Sequence, residues 1–167
     1  MEPITIQPLN YIPEFKYTAK YGYKRNPCGI VEVKEFQIGN KRIVIATDLT
    51  SLPKNEENEK LPCKMSITNS VEWFIRAYFN LQKEKDPSLR LADFIWIERY
   101  TERGTHREHP ESLDLVFPIE VEYDNNGFIV KAKPKWKYLW KDDLNKEKRK
   151  GITIEEIAKL LKEKGLI

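Results

Sequence analysis

RIVIATDL, residues 42–49, and LADFIWIERY, residues 91–100, are apolar at successive positions, so each would bury both faces if extended. Two such runs predict central strands of a sheet covered on both sides. Between them lies a polar, aperiodic stretch, residues 50–68 (TSLPKNEENEKLPCKMSIT), read as a long loop of the kind that serves as a lid or interaction surface or is disordered. From Asn69 to about Lys85, Val71, Phe74, Ile75, Tyr78, Leu81 and Gln82 trace an i, i+3, i+4 stripe widened by Trp73 and Phe79. That spacing predicts the principal helix, with Asn69 as N-cap, Glu72 completing a capping-box-like start, and Asp86 and Pro87 closing it. Strand, loop, helix, strand in this order predicts a βαβ unit with two parallel strands and a right-handed crossover.

Working outward, GIVEVKEFQIGNKRIVIATDL reads as two strands, near Ile30–Ile38 and Lys41–Leu49, joined at Gly39 and Asn40, a pair that tolerates the positive φ of a tight hairpin. Ahead of them, from Glu14, EFKYTAKYGYKR places Phe15, Tyr17, Ala19, Tyr21 and Tyr23 on one parity and Lys16, Thr18, Lys20 and Lys24 on the other, which is the period of a strand. Downstream, SLDLVFPIEVEY and GFIVKAKPKWKYLW form two further strands joined at DNNG, with Pro118 and Pro134 marking edges or bulges. The tail GITIEEIAKLLKEKGLI carries a capping box from Thr153 to Glu156, a staple between Ile152 and Ile157, and Gly165 as its stop. The expected fold is therefore α+β, one domain over residues 1–167. It has a mixed β-sheet of about six strands containing one βαβ unit, one main buried helix, and a short C-terminal helix on the other face or an edge.

Composition narrows the class without naming a chemistry. The chain is 40% hydrophobic and 33% charged, far from the signature of disorder. Cys28 and Cys63 stand alone with no CxxC spacing, which argues against a disulfide framework and a sulfur-rich zinc site and predicts a reducing, cytoplasmic home. The first residues, MEPITIQPLN, lack a basic stretch followed by an apolar one, and no apolar run is long enough to span a bilayer, so a soluble protein without a membrane partner is expected. Net charge is only +3, but residues 131–150 hold nine Lys or Arg against three Asp or Glu. That local excess points to an anionic partner or to solubility alone. P-loop, GxGxxG and GxSxG patterns do not occur.

Ligands of open α/β sheets bind beyond the carboxyl ends of parallel strands. Applied here, the rule gathers Asp48, Thr50 and Ser51, the helix start at Thr68, Asn69 and Ser70, and Glu98, Arg99 and Tyr100 on one edge, from which the loop YTERGTHREHPES hangs. A helix start offers unpaired N–H groups to an anion, so Asn69 and Ser70 are candidate phosphate ligands, with Arg99 and Arg103 neutralising the charge. The plainer account is that these residues cap a helix. His106 and His109 are the candidate catalytic acid and base of a phosphodiesterase or nuclease, metal-free or metal-assisted, with Glu98 orienting one histidine or meeting a metal; HxxH alone is not the zincin pattern. The plainer account of THREH is a solvated turn. Lys133 and Lys135, in KAKPKWKYLWK, are candidate nucleic-acid contacts, although strand parity would put lysines and rings on opposite faces and lysines also guard edge strands. The leading expectation is binding of a phosphate-containing anion, nucleotide or nucleic acid, with hydrolysis as a further step. The alternative is a noncatalytic protein that docks on a protein or nucleoprotein partner. No cofactor and no oligomeric state follow from the residues.

Overall fold

The computed structural model describes residues 3–18, 27–48, 67–99, 113–138 and 153–167, with side chains at 3–17, 30–47, 73–98, 120–133 and 153–167. Residues 50–66 of the loop expected over 50–68, the histidine loop, Tyr21, Tyr23 and Ile152 lie outside the described residues, and the last two residues of that loop, Ile67 and Thr68, are helical. The elements are β1 (Ile6–Thr18), β2 (Pro27–Ile38), β3 (Lys41–Asp48), α1 (Ile67–Lys85), β4 (Phe94–Arg99), β5 (Leu113–Tyr123), β6 (Ile129–Tyr138) and α2 (Ile154–Glu163).

The six strands lie side by side in chain order. β3 and β4 pair in parallel, with Ile43 opposite Ile95 and Thr47 opposite Arg99, and α1 stands between them in the chain, as the two doubly apolar runs predict. The other four neighbouring pairs are antiparallel. Ile43, Val44, Ile45 and Ala46 of β3 and Phe94, Ile95, Trp96 and Ile97 of β4 are all buried, because each face of this central pair has its own helix. On one face, Phe74, Ile75, Tyr78 and Phe79 of α1 pack on Val31, Val33, Val44, Ala46, Phe94 and Trp96. On the other, Ile157, Ala158 and Leu161 of α2 pack on Ile38, Ile43, Ile45, Ile95 and Ile97. The C-terminal helix thus covers the second face and not an edge.

Local chemistry sets the ends of these elements. Gly39 takes φ +59° in the β2–β3 turn. In the β5–β6 turn, Asp124 Oδ1 accepts from the amides of Asn126 and Phe128, and Gly127 takes φ +83° with Lys83 Cε 3.1 Å from where a Cβ would stand. Thr153 Oγ1 caps α2 by accepting from the Glu156 amide at 3.2 Å, and Leu166 N–H donates to Leu161 O across Gly165, φ +72°, to end it. Asp86 closes α1 by accepting from the amide and hydroxyl of Ser88, bonds that hold its carboxyl below the ordinary range.

Two boundaries differ from the expectation. α1 is already helical at Ile67, so Asn69 sits in its first turn and is not the N-cap. β1 begins at Ile6 and not near Glu14. Its pairing with β2 slips between Pro8 and Asn10 and again between Ile12 and Phe15. Each slip inserts a residue and flips the parity, so Ile6 joins the α2 face while Ile12, Phe15 and Tyr17 join the α1 face. A strand that resets its own alternation, with Pro8 and Pro13 inside it, shows no continuous period of two in sequence.

Candidate functional site

The direction of α1 fixes what shares an edge with what. Phe79 meets Phe94 edge-on at 5.7 Å between ring centroids, and one step further along β4 Trp96 meets Phe74 and Tyr78, each at 6.0 Å. Moving forward on β4 therefore means moving back along α1, so the helix begins at the carboxyl ends of β3 and β4. Asn69 and Ser70, in the first turn of α1, and Glu98 and Arg99, the last residues of β4, belong to that same end of the sheet. Glu98 is only 1% exposed, on the parity of Phe94 and Trp96 beneath α1, so it is not the solvated surface acid that a charged strand end would suggest. The side chains of Asn69, Ser70 and Arg99 lie outside the described set, as do Arg103, His106 and His109 altogether. Among the described residues no group of three or more His, Cys, Asp or Glu gathers as a metal site.

A second feature lies along the outer strand. Asn80 grips β6 with both ends of its amide, donating to Ile129 O at 3.0 Å and accepting from Ile129 N–H at 2.8 Å. Beside this joint, α1 and β6 leave a groove of about 320 Å³ lined by Trp73, Arg76, Glu122, Val130, Lys131 and Ala132. Trp73, Arg76 and Asn80 follow the three- and four-residue spacing that aligns them on one helix face. The Arg76 guanidinium lies over the Trp73 ring at 5.5 Å and forms no ion pair with a described residue. Val130 is 41% exposed, which leaves an aliphatic wall open to solvent.

From Lys131 to Lys133 β6 has the expected parity, with both lysines exposed and Ala132 between them buried, but a register shift just before them reverses it, so that Ile129 is buried and Val130 exposed. Its lysines nevertheless face acids. Lys133 Nζ lies 3.2 Å from Glu120 Oε2, and Glu122 stands opposite Lys131 in the register. Lys135 pairs with Phe117 in the same ladder. β5 thus partly neutralises the basic strand, at an exposed ion pair of small energetic weight.

At the far end of the sheet sits a buried polar cluster that sequence patterning did not reveal. Glu35, 1% exposed, accepts from Tyr78 Oη and from Arg42 Nε, and also from Asn10 Nδ2 at 3.1 Å. Asn10 and Arg42 each donate to Gln82 Oε1 at 3.3 Å, and the Arg42 guanidinium covers the Phe94 ring at 4.9 Å. Burial, reinforced by the Glu35 carboxylate, pushes the Tyr78 phenol well above its ordinary range. Four elements, β1, β2, β3 and α1, supply this network, in which the Arg42 guanidinium and the Glu35 carboxylate neutralise one another.

No protein-family model, curated protein or solved structure matches the chain. Sequence patterning assigned Trp73 to the apolar stripe and passed over Arg76. Their signal was faint: a tryptophan at the border of the stripe with an arginine three residues on, a spacing equally common on solvated helix faces.

Proposed function

We propose that the chain binds a phosphate-containing anion, a nucleotide or a nucleic acid, at the carboxyl edge of β3 and β4. The observation that supports this reading is the parallel pairing of those two strands, because it is the premise under which a helix start and two strand ends collect at one edge. Asn69 and Ser70 with the first N–H groups of α1 hold the phosphate, and Arg99 and Arg103 neutralise it. Cleavage of a phosphodiester by His106 and His109, with Glu98 as the orienting acid, is a separate step of the same proposal. Among the described residues no helix is long and apolar enough to cross a bilayer.

Thermal denaturation with a panel of mononucleotides, cyclic nucleotides, RNA and DNA tests the binding. At a ligand concentration a hundredfold above Kd, the transition should rise by about 5–10 °C, and Arg99→Ala with Arg103→Ala should remove the rise. A panel that leaves the transition unmoved, with the protein folded, rules the reading out and favours the noncatalytic docking role. Replacing His106 and His109 by alanine should abolish cleavage while leaving the melting profile in place; wild-type protein that cleaves nothing, with or without added metal, removes the enzymatic step.

A further inference from the structure

We infer that the groove between α1 and β6 is a binding site for one planar aromatic anion of mononucleotide size. It goes beyond the carboxyl-edge reading, uses none of its residues and stands even if that edge binds nothing. Size is the first argument. About 320 Å³ falls at the small end of ligand pockets, which run from about 300 to 1,000 Å³, so the groove suits one ring with its attached charged group and not a longer chain.

The lining supplies three different kinds of contact. Trp73, Val130 and Ala132 give an aromatic and two aliphatic surfaces, against which a flat ring loses its hydration without needing a directional partner. Arg76 and Lys131 bring two cations against the single carboxylate of Glu122. Arg76 has no carboxylate within ion-pair distance among the described residues, and stacking on Trp73 steadies its planar fork, so it is prepared to take two phosphate oxygens at once. Glu122 accepts hydrogen bonds, which a ribose hydroxyl or an exocyclic amine can supply and a simple aromatic carboxylate cannot. Ring, anion and donor together describe a nucleoside monophosphate. Asn80, fixed to both backbone groups of Ile129, holds the helix and the strand at the spacing the groove requires.

Isothermal titration of the full chain with adenosine 5′-monophosphate, adenosine and inorganic phosphate tests this, in wild type and in Arg76→Gln, Val130→Trp and Arg99→Ala. Val130 is exposed, so a tryptophan there fills the groove without entering the core; unchanged circular dichroism verifies that each variant is folded. The nucleotide should bind more tightly than either of its parts, and at one site Arg76→Gln and Val130→Trp should each weaken it about fivefold or more; any second site that Arg99→Ala alone weakens is the carboxyl edge. A site weakened by both groove variants supports the groove whether or not the edge also binds. Nucleotide or phosphate binding that Arg99→Ala removes and the two groove variants leave intact overturns the groove and supports the edge. Failure of the nucleotide to bind at all overturns it too.

Discussion

Tyr78 carries a proton that the fold protects. Its hydroxyl donates to Glu35 inside the α1 face of the sheet, and ionising it would set a second negative charge beside a buried carboxylate. The folded state thus favours the neutral phenol, whereas an unfolded tyrosine ionises near pH 10. The contribution of this group is complete below about pH 10 and is lost as pH rises above it, by about 1.4 kcal/mol per unit, until the folded phenol itself ionises. Urea unfolding from pH 8 to 11 should show this extra loss in wild type and not in Tyr78→Phe, which starts lower because Glu35 then lacks one donor. Equal slopes in the two proteins would mean that Tyr78 ionises as readily folded as unfolded. Neither Glu35 nor Tyr78 was legible as a pair. Glu35 looks like an ordinary charge in the alternating VEVKEF, and its partners Asn10, Arg42 and Tyr78 come from three other elements.

At the level of elements, α1 is held to the sheet by two unlike devices. Its apolar stripe was readable from spacing, and the rings of Phe74, Tyr78 and Phe79 pack where that spacing puts them. The joint to β6 was not readable, because a backbone group leaves no mark in the sequence and Asn80 falls on the polar border of the stripe. Asn80→Ala would leave the N–H and C=O of Ile129 without their partner, at a cost of about 1–3 kcal/mol. Hydrogen exchange should locate the damage: the Ile129 amide should lose more protection than the amides of β3 and β4, whose loss should not exceed the fall in global stability. An Ile129 amide as protected as before would show that another group takes over from Asn80. The turns, by contrast, were readable at single positions. Gly39, the Asp124-to-Gly127 turn and Thr153 each act within a few residues of themselves, so the local chain alone specifies them.

Across the molecule, two helices far apart in sequence cover opposite faces of one parallel strand pair. β3 and β4 therefore transmit packing from one face to the other, since Ile43 and Val44, or Ile95 and Trp96, are adjacent residues pointing opposite ways. Leu161→Ala, which opens a cavity under α2, should cost about 2–5 kcal/mol. The loss should appear as one shared transition in circular dichroism and in tryptophan fluorescence, to which Trp96 on the α1 face contributes. A fluorescence transition that stays put while helicity falls early would mean that α2 unfolds as a separate unit. The outer strands show a different economy: β1 carries Pro8, Pro13 and three register shifts against β2, and β6 carries exposed lysines, features that discourage edge-to-edge association.

A mixed sheet of about six strands, its main helix and the parallel centre followed from patterns that short-range sterics and burial write into the chain: two-sided apolar runs, a helical stripe, and turn residues where φ must be positive. The order of the strands and the face that α2 covers came only with the tertiary structure. The register slips of β1, the buried Glu35 cluster and the Trp73–Arg76 groove could not be obtained from those patterns either. Each is made by residues that are distant in the chain and individually unremarkable in composition. Their chemistry arises when folding removes water from a carboxylate, or leaves a guanidinium with no counter-charge among the described residues beside an open apolar wall, and those are properties of neighbours in space.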